Sequence, residues 1–130
     1  MADDSALSVA QQAWDRWIAA DLDGFIGLWD PSGAWTMPGH SQIAGVWRGH
    51  DEIRKVAQIA FEVSAGTMEA SPLELAATGD VVLGRFHVKA SRPGATLDQD
   101  ALQRFEIRGG KMVSLLNLWT DIEEMDNFFR

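Results

Sequence analysis

The amino-acid sequence predicts a single α+β domain in which helices cover one face of an antiparallel sheet. The first half of the chain has apolar residues at helical spacing, and the second half alternates apolar and polar residues as strands do. Turns rich in Gly or Pro separate the predicted strands. A length of 130 residues fits one domain spanning 1–130, with no linker, repeat or low-complexity stretch.

Three helices are predicted in the first half. The first covers about 5–20, can be capped by Asp3, Asp4 or Ser5, and has an apolar face. That face consists of Ala10, Ala13, Trp14, Trp17 and Ile18. A short second helix begins after Asp21 and is expected to end at Pro31, with Trp29 on its apolar face. The third covers about 50–62.

The remaining elements are predicted as strands and turns. Strands are expected over 34–37, 67–77, 81–90, 102–107 and 112–120, and residues 39–49 are expected to form a loop. A short amphipathic segment closes the chain, with its apolar side formed by Ile122, Met125, Phe128 and Phe129. A curved sheet with helices on its concave side encloses a hollow, which is the usual place for a small-molecule site.

The composition excludes several classes of function. A net charge of −8 opposes binding to nucleic acid and to anionic membrane surfaces, and no apolar run approaches the roughly 18 residues of a membrane span. The chain has no cysteine and three scattered histidines, so we expect neither a metal nor a cofactor. The lack of cysteine is compatible with the reducing cytosol, and we expect a cytoplasmic protein. Six tryptophans supply indole surface for a core or pocket, while the absence of tyrosine removes every phenolic acid.

Residues 35–53 resemble the signature of SnoaL-like proteins. The matching features are an aromatic strand, Pro38-Gly39, an aromatic-Arg-Gly step at Trp47, and an Asp-x-Ile entry into the third helix. Weaker matches occur at 21–25, 110–111 and 119–121. The resemblance implies a cone-shaped α+β barrel of the NTF2-like kind, related to ketosteroid isomerase, with three N-terminal helices packed on a strongly curved, mostly antiparallel sheet. It also implies a homodimer through the outer sheet face.

The resemblance does not settle the activity, because this superfamily includes isomerases, polyketide cyclases, dehydratases and non-catalytic binders. Ketosteroid isomerase uses an Asp base together with a Tyr and a protonated Asp. The corresponding positions here are Met37 for the base and Gln103 for the second Asp, and the Tyr has no counterpart. Steroid isomerisation by that mechanism is therefore not expected.

Asp121 and His40 are the candidate catalytic residues. SnoaL-type cyclases carry an acid–base Asp near the end of the last strand, and Asp121 matches that position. Strand alternation places Asp121 in one row with Leu115, Asn117 and Trp119. Asp121 is equally suited to cap the closing helix. His40, in the loop over the expected pocket mouth, is either a proton carrier or an exposed loop residue.

The pocket is expected to bind a small apolar or aromatic carbonyl compound. The candidate ligand-binding residues are Trp17, Trp35, Met37, Phe61, Gln103, Asn117 and Trp119. Trp14 and Trp29 are interpreted as core, and His87 as an outer-face residue partnered by Glu106. Two hypotheses remain open: cofactor-free acid–base chemistry of the isomerase, cyclase or dehydratase type, and a non-catalytic homodimeric binding or interaction module.

Overall fold

A computed structural model describes residues 5–130, which form four helices and one six-stranded sheet. The helices are α1 (Ala6–Ile18), α2 (Leu22–Gly27), α3 (Gly49–Ser64) and α4 (Ile122–Phe128). The strands are β1 (Trp29–Met37), β2 (Gly45–Arg48), β3 (Glu69–Thr78), β4 (Val81–Arg92), β5 (Ala95–Arg108) and β6 (Lys111–Trp119). No helix within 5–130 is long and apolar enough to span a membrane.

The sheet has the strand order β2-β1-β6-β5-β4-β3. β1 and β6 are parallel, and the other neighbouring pairs are antiparallel, as predicted for the fold class. Register shifts interrupt β1 between Trp29 and Ala34, β3 between Pro72 and Glu74, and β5 between Glu106 and Ile107. Such irregularities bend strands and increase their twist, which curves the sheet around the helices.

The helices follow the apolar pattern of the sequence. The α1 residues Val9, Ala10, Ala13 and Trp14 are buried, and the side chain of Ser5 accepts a hydrogen bond from the backbone N–H of Ser8. Ser5 is therefore the cap of α1, while Asp3 and Asp4 lie outside the described residues. In α3 the buried side is formed by Ile53, Val56, Ala57, Ala60 and Ser64. Both helices contribute this side to a core shared with the sheet.

Long-range pairing corrects the prediction for the second helix. α2 ends at Gly27, and Trp29 and Pro31 belong to β1 instead of to the helix. The backbone N–H of Met112 donates to the carbonyl of Leu28 at 2.8 Å, and Trp29 is paired with Met112 in the sheet. This pairing with a strand over 80 residues away determines the conformation of Trp29, although the local spacing of the apolar residues is helical.

Two other elements, β2 and β5, differ from the prediction, whereas the closing helix is present as expected. Residues 45–48 form β2, because they pair with the end of β1 instead of remaining a loop. β5 begins at Ala95 and not at residue 102, since the turn at 93–94 lets β4 and β5 pair to their ends. The closing segment is a fourth helix, α4, in which Met125 and Phe128 are buried. β2 and the start of β5 are hairpin strands, which pair with the strand directly before them across a short turn.

The two faces of the sheet differ in polarity. In β5 the inward row is buried from Leu97 to Ile107 in steps of two, and the alternate residues are exposed or half-buried. The inward row contains two amides, Gln99 and Gln103, among apolar side chains. The alternation of β5 therefore places Gln103 on the inner face, opposite α1.

Candidate ligand-binding cavity

An apolar cavity of about 80 Å³ lies between the helices and the inner face of the sheet. The lining residues come from α1, α2, α3, all strands except β2, the 38–44 loop, the turn before β3 and the C-terminal segment. Trp17, Met68, Ala70 and Trp119 are partly exposed, and the other lining side chains are buried. The partly exposed residues mark where the cavity approaches solvent.

Aromatic rings form much of the cavity wall. The ring of Trp17 lies 5.7 Å from that of Trp35 in an edge-to-face arrangement, and Trp14 lies 5.1 Å from Phe86. Phe61 stacks on Trp17 with a centroid separation of 4.7 Å and supports it from behind. Ring pairs at these separations stabilise one another beyond simple area burial.

Two carboxamides lie in the lining together with the indole N–H groups of its tryptophans. Gln103 on β5 and Asn117 on β6 are 6% and 4% exposed, and they are directly paired across the two strands. The indole N–H of Trp14 donates to Oε1 of Gln103 at 2.7 Å. The indole N–H of Trp35 donates to Oδ1 of Asn117. Gln103 is thus anchored by a tryptophan of the helical layer, and Asn117 by a tryptophan of the neighbouring strand β1.

Gly84 makes room for the Gln103 side chain. Gly84 is paired with Gln103 between β4 and β5. A Cβ atom at Gly84 would lie 2.8 Å from Cδ2 of Leu75 and 3.2 Å from Cγ of Gln103. Glycine inside a strand commonly marks such a close approach.

Six of the seven candidate ligand-binding residues lie around the cavity. These are Trp17, Trp35, Met37, Gln103, Asn117 and Trp119. Phe61 is outside the lining and reaches the cavity only through Trp17. The structure brings the six together, and their role in binding stays a prediction.

Asp121 lies outside the cavity, so its predicted place in the cavity-facing row is wrong. β6 ends at Trp119, and the alternation that orients Leu115, Asn117 and Trp119 inward stops there. The Asp121 side chain accepts a hydrogen bond from the backbone N–H of Glu124 at 3.0 Å and caps α4. The structure therefore favours the capping interpretation.

His40 also lies away from the cavity. Its side chain is 96% exposed, and Nδ1 is 3.5 Å from Oδ2 of Asp126 on α4. The backbone N–H groups of His40 and Ser41 donate to Oδ1 of the same carboxylate. Asp126 thus holds the loop, and the imidazole is directed to solvent.

The cavity lining contains no ionisable side chain within the described residues 5–130. Over the same residues, no cluster of three or more His, Asp or Glu could hold a metal ion. The arrangement offers apolar contact, ring stacking and hydrogen bonding to a guest molecule. No lining side chain is suited to proton transfer at neutral pH.

A charged cluster occupies the outer sheet face around His87. Its Nδ1 lies 2.7 Å from Oδ1 of Asp100, and its Nε2 lies 2.7 Å from Oδ1 of Asp98. These contacts correct the expected pairing with Glu106, which instead binds Arg108. The hydrogen bond to Asp100, followed by that to Asp98, raises the pKa of His87 against the opposing effect of desolvation.

Several lining residues were missed in the sequence. Ile43, Met125 and Phe129 close the cavity from the 38–44 loop and the C-terminal segment, and Trp14 was interpreted only as core. The spacing of Trp14 and Trp17 on one helix face was a usable signal for both. Nothing local in the sequence indicates that Trp14 meets Gln103, 89 residues away.

The curved sheet and the covering helices enclose an apolar pocket, which is the shape that small-molecule sites have in other proteins. The chain belongs to the SnoaL-like domain family, which matches residues 10–115. The uncharacterised protein Rv0034 of Mycobacterium tuberculosis is 25% identical over 130 residues, with 99% of each chain covered.

Solved structures agree with this membership. A protein of unknown function with a cystatin-like fold from Xanthomonas campestris superposes with a TM-score of 0.91 at 25% identity, covering 96% of this chain and 98% of that one. An NTF2-like protein from Burkholderia xenovorans LB400 has a TM-score of 0.77 at 20% identity, covering 96% and 95%. The latter likeness establishes an NTF2-like fold.

Proposed function

We propose that this protein binds a small, uncharged, ring-containing organic molecule in the cavity and transfers no proton to it. The observation that carries the proposal is the lining itself, in which apolar and aromatic side chains surround two anchored amides. Each square ångström of apolar surface removed from water stabilises a complex by about 25 cal/mol. Stacking on indole and phenyl rings adds selectivity for flat molecules.

The size of the cavity implies that its rim moves when a ligand enters. A dry cavity of about 150 Å³ accepts benzene, whereas this one measures about 80 Å³. A ring therefore requires displacement of the partly exposed lining residues, of which Trp17 and Trp119 are the largest. Ligand binding should consequently change tryptophan fluorescence.

A titration with ethylbenzene, monitored by tryptophan fluorescence and ligand-observed NMR, tests the proposal. We expect saturable binding by the wild type and at least a tenfold loss in Ala70→Phe, which fills the cavity edge. Ala76→Phe is the matched control, because Ala76 is an exposed residue of the same strand outside the lining. Absence of saturable binding by the wild type to ethylbenzene, naphthalene and acetophenone would contradict the proposal.

Acid–base chemistry of the isomerase or cyclase type is the alternative function. It depended on Asp121 and His40, and both side chains lie outside the cavity. The family contains enzymes, but a shared fold does not carry a reaction with it. The contacts of this chain favour binding over catalysis.

We further propose a homodimer through the outer sheet face. Leu83, Leu102 and Leu118 are about half exposed there, and Leu102 is paired directly with Leu118. Arg85, with its positive charge, and the acidic Asp98 and Asp100 share the same face. In a twofold dimer the same patch of both copies is in contact, so the patch must complement itself. A patch with both positive and negative charges around apolar residues meets this condition for a second copy of this chain.

A further inference from the structure

We propose that the cavity selects ligands with an uncharged carbonyl oxygen, which accepts hydrogen bonds from Nε2 of Gln103 and Nδ2 of Asn117. This inference rests on the proposed function and names the chemical class of its ligand.

The chemistry of tryptophan fixes the orientation of both carboxamides. An indole N–H can only donate, so the amide atom that it contacts must be the oxygen. Oε1 of Gln103 faces Trp14 and Oδ1 of Asn117 faces Trp35. The NH₂ group is therefore on the other side of each amide. Neither amide can rotate to present its oxygen to the cavity without breaking the hydrogen bond to its indole.

The two NH₂ groups have no hydrogen-bond partner among residues 5–130. Within the described residues, the side chains of Gln103 and Asn117 each make one hydrogen bond, which is the one from the indole to the amide oxygen. Both residues are more than nine-tenths buried and line the cavity. An unpaired NH₂ group in the lining gains a hydrogen bond from a guest that supplies an acceptor, whereas a hydrocarbon guest leaves it unpaired.

The position of the two amides allows them to act together. Gln103 and Asn117 are direct cross-strand partners on the inner face. Side chains at such positions start from Cβ atoms about 5 Å apart. A carbonyl oxygen has two lone pairs and can accept from both donors at once.

The lack of charge in the lining decides between acceptors. A carboxylate or phenolate would enter an apolar site in which the lining within 5–130 supplies no cation. Burying an unpaired anion is far more costly than burying a neutral dipole. A ketone, aldehyde, ester or quinone carbonyl meets both donors and brings no charge and no donor of its own.

A pair of matched ligands tests the class. Acetophenone and ethylbenzene have nearly the same shape and differ by a carbonyl in place of a methylene. Addition of acetophenone to the ¹⁵N-labelled wild type should shift the side-chain NH₂ signals of Gln103 and Asn117. Ethylbenzene should leave these two signals nearly unchanged while it binds in the same cavity.

Carboxyl variants test the donors themselves. Gln103→Glu and Asn117→Asp keep an oxygen for the indole N–H but replace the NH₂ by a group that donates only when protonated. Acetophenone affinity should fall at least tenfold at high pH and recover as the new carboxyl is protonated, whereas wild-type affinity should be independent of pH. Gln58→Glu is the control, because it makes the same chemical change on the exposed side of α3.

The outcomes separate the two proposals. If ethylbenzene binds but acetophenone leaves both NH₂ signals unmoved, the carbonyl inference is wrong and the binding function stands. Wild-type-like acetophenone affinity of both variants at all pH values would also overturn the inference. If neither compound binds the wild type, the proposed function fails and the inference fails with it. The NMR measurement uses the wild type, so it decides the question even if a variant does not fold.

Discussion

The indole N–H of Trp14 on α1 donates a 2.7 Å hydrogen bond to Oε1 of Gln103 on β5. This bond joins the helical layer to the sheet across the cavity wall and sets which end of the amide remains available. Replacement of Trp14 by Phe removes the donor while keeping an aromatic ring. We expect a loss of about 1–3 kcal/mol in the free energy of unfolding, from the unpaired buried oxygen and the lost ring volume.

The same variant should also relax ligand selectivity. Without the indole, the Gln103 amide can present either its oxygen or its NH₂ group, so the preference for acetophenone over ethylbenzene should shrink. Urea unfolding gives the stability, and NMR titrations give the two affinities. An unchanged preference would show that Trp14 does not orient the amide.

Gly84 is a second positioning residue for Gln103. In Gly84→Ala the new methyl group meets Leu75 and Gln103, and we expect weaker acetophenone binding through displacement of the amide. Gly27→Ala is the control, because a Cβ there has nothing within 4 Å. Isothermal titration calorimetry measures the acetophenone affinity of both variants. Equal affinity for the two would mean that Leu75 alone absorbs the added methyl group.

Asp121 should matter for stability and not for binding. Asp121→Ala removes the cap of α4 and should lower the free energy of unfolding by about 1 kcal/mol. Asp121→Ser retains a capping oxygen and should recover most of that loss. Ligand affinity should be the same in all three proteins, and a large loss of affinity confined to Asp121→Ala would argue for a role in the site.

The cluster around His87 should make stability depend on pH. Contacts with Asp100 and Asp98 raise the pKa of His87 above its ordinary value of 6.5 in the folded state. The folded protein therefore holds this proton more tightly than the unfolded chain, so the contribution is complete below pH 6.5 and is lost as the pH rises through the folded-state pKa.

Urea unfolding of wild type and His87→Gln between pH 5 and 9 measures this contribution. The stability difference between them should shrink as the pH rises above 6.5. His40→Gln serves as the control, because the His40 side chain is 96% exposed. A wild-type advantage that stays constant across the range would contradict the charge-based account of the cluster.

The outer leucines should determine the oligomeric state. Leu118→Glu places a charge in the centre of the proposed contact between two copies, and we expect the dimer to dissociate. Ile18→Glu makes a similar change at the exposed end of α1 and should leave the mass unaltered. Sedimentation equilibrium measures the molecular mass of both variants. A monomeric wild type at concentrations near 100 µM would exclude the proposed interface.

The sequence by itself determined the fold class, the positions of α1 and α3, and the row of Leu115, Asn117 and Trp119 on β6. Each depends on a local period, 3.6 residues for a helix and two for a strand, and the chain carries that period wherever one side is buried. Gln103, Asn117 and Trp119 face the cavity because this alternation extends along β5 and β6, and the periods of α1 and β1 bring Trp17, Trp35 and Met37 to it as well.

Only the tertiary structure decided the elements that depend on pairing between strands. Trp29 left its apparent helical face because the chain there pairs with β6, and residues 45–48 became a strand by pairing with β1. Asp121 fitted both a cavity wall and a helix cap, and the end of β6 at Trp119 selected the cap. The anchoring of Gln103 by Trp14 joins residues 89 positions apart, and no local pattern in a sequence encodes a contact of that range.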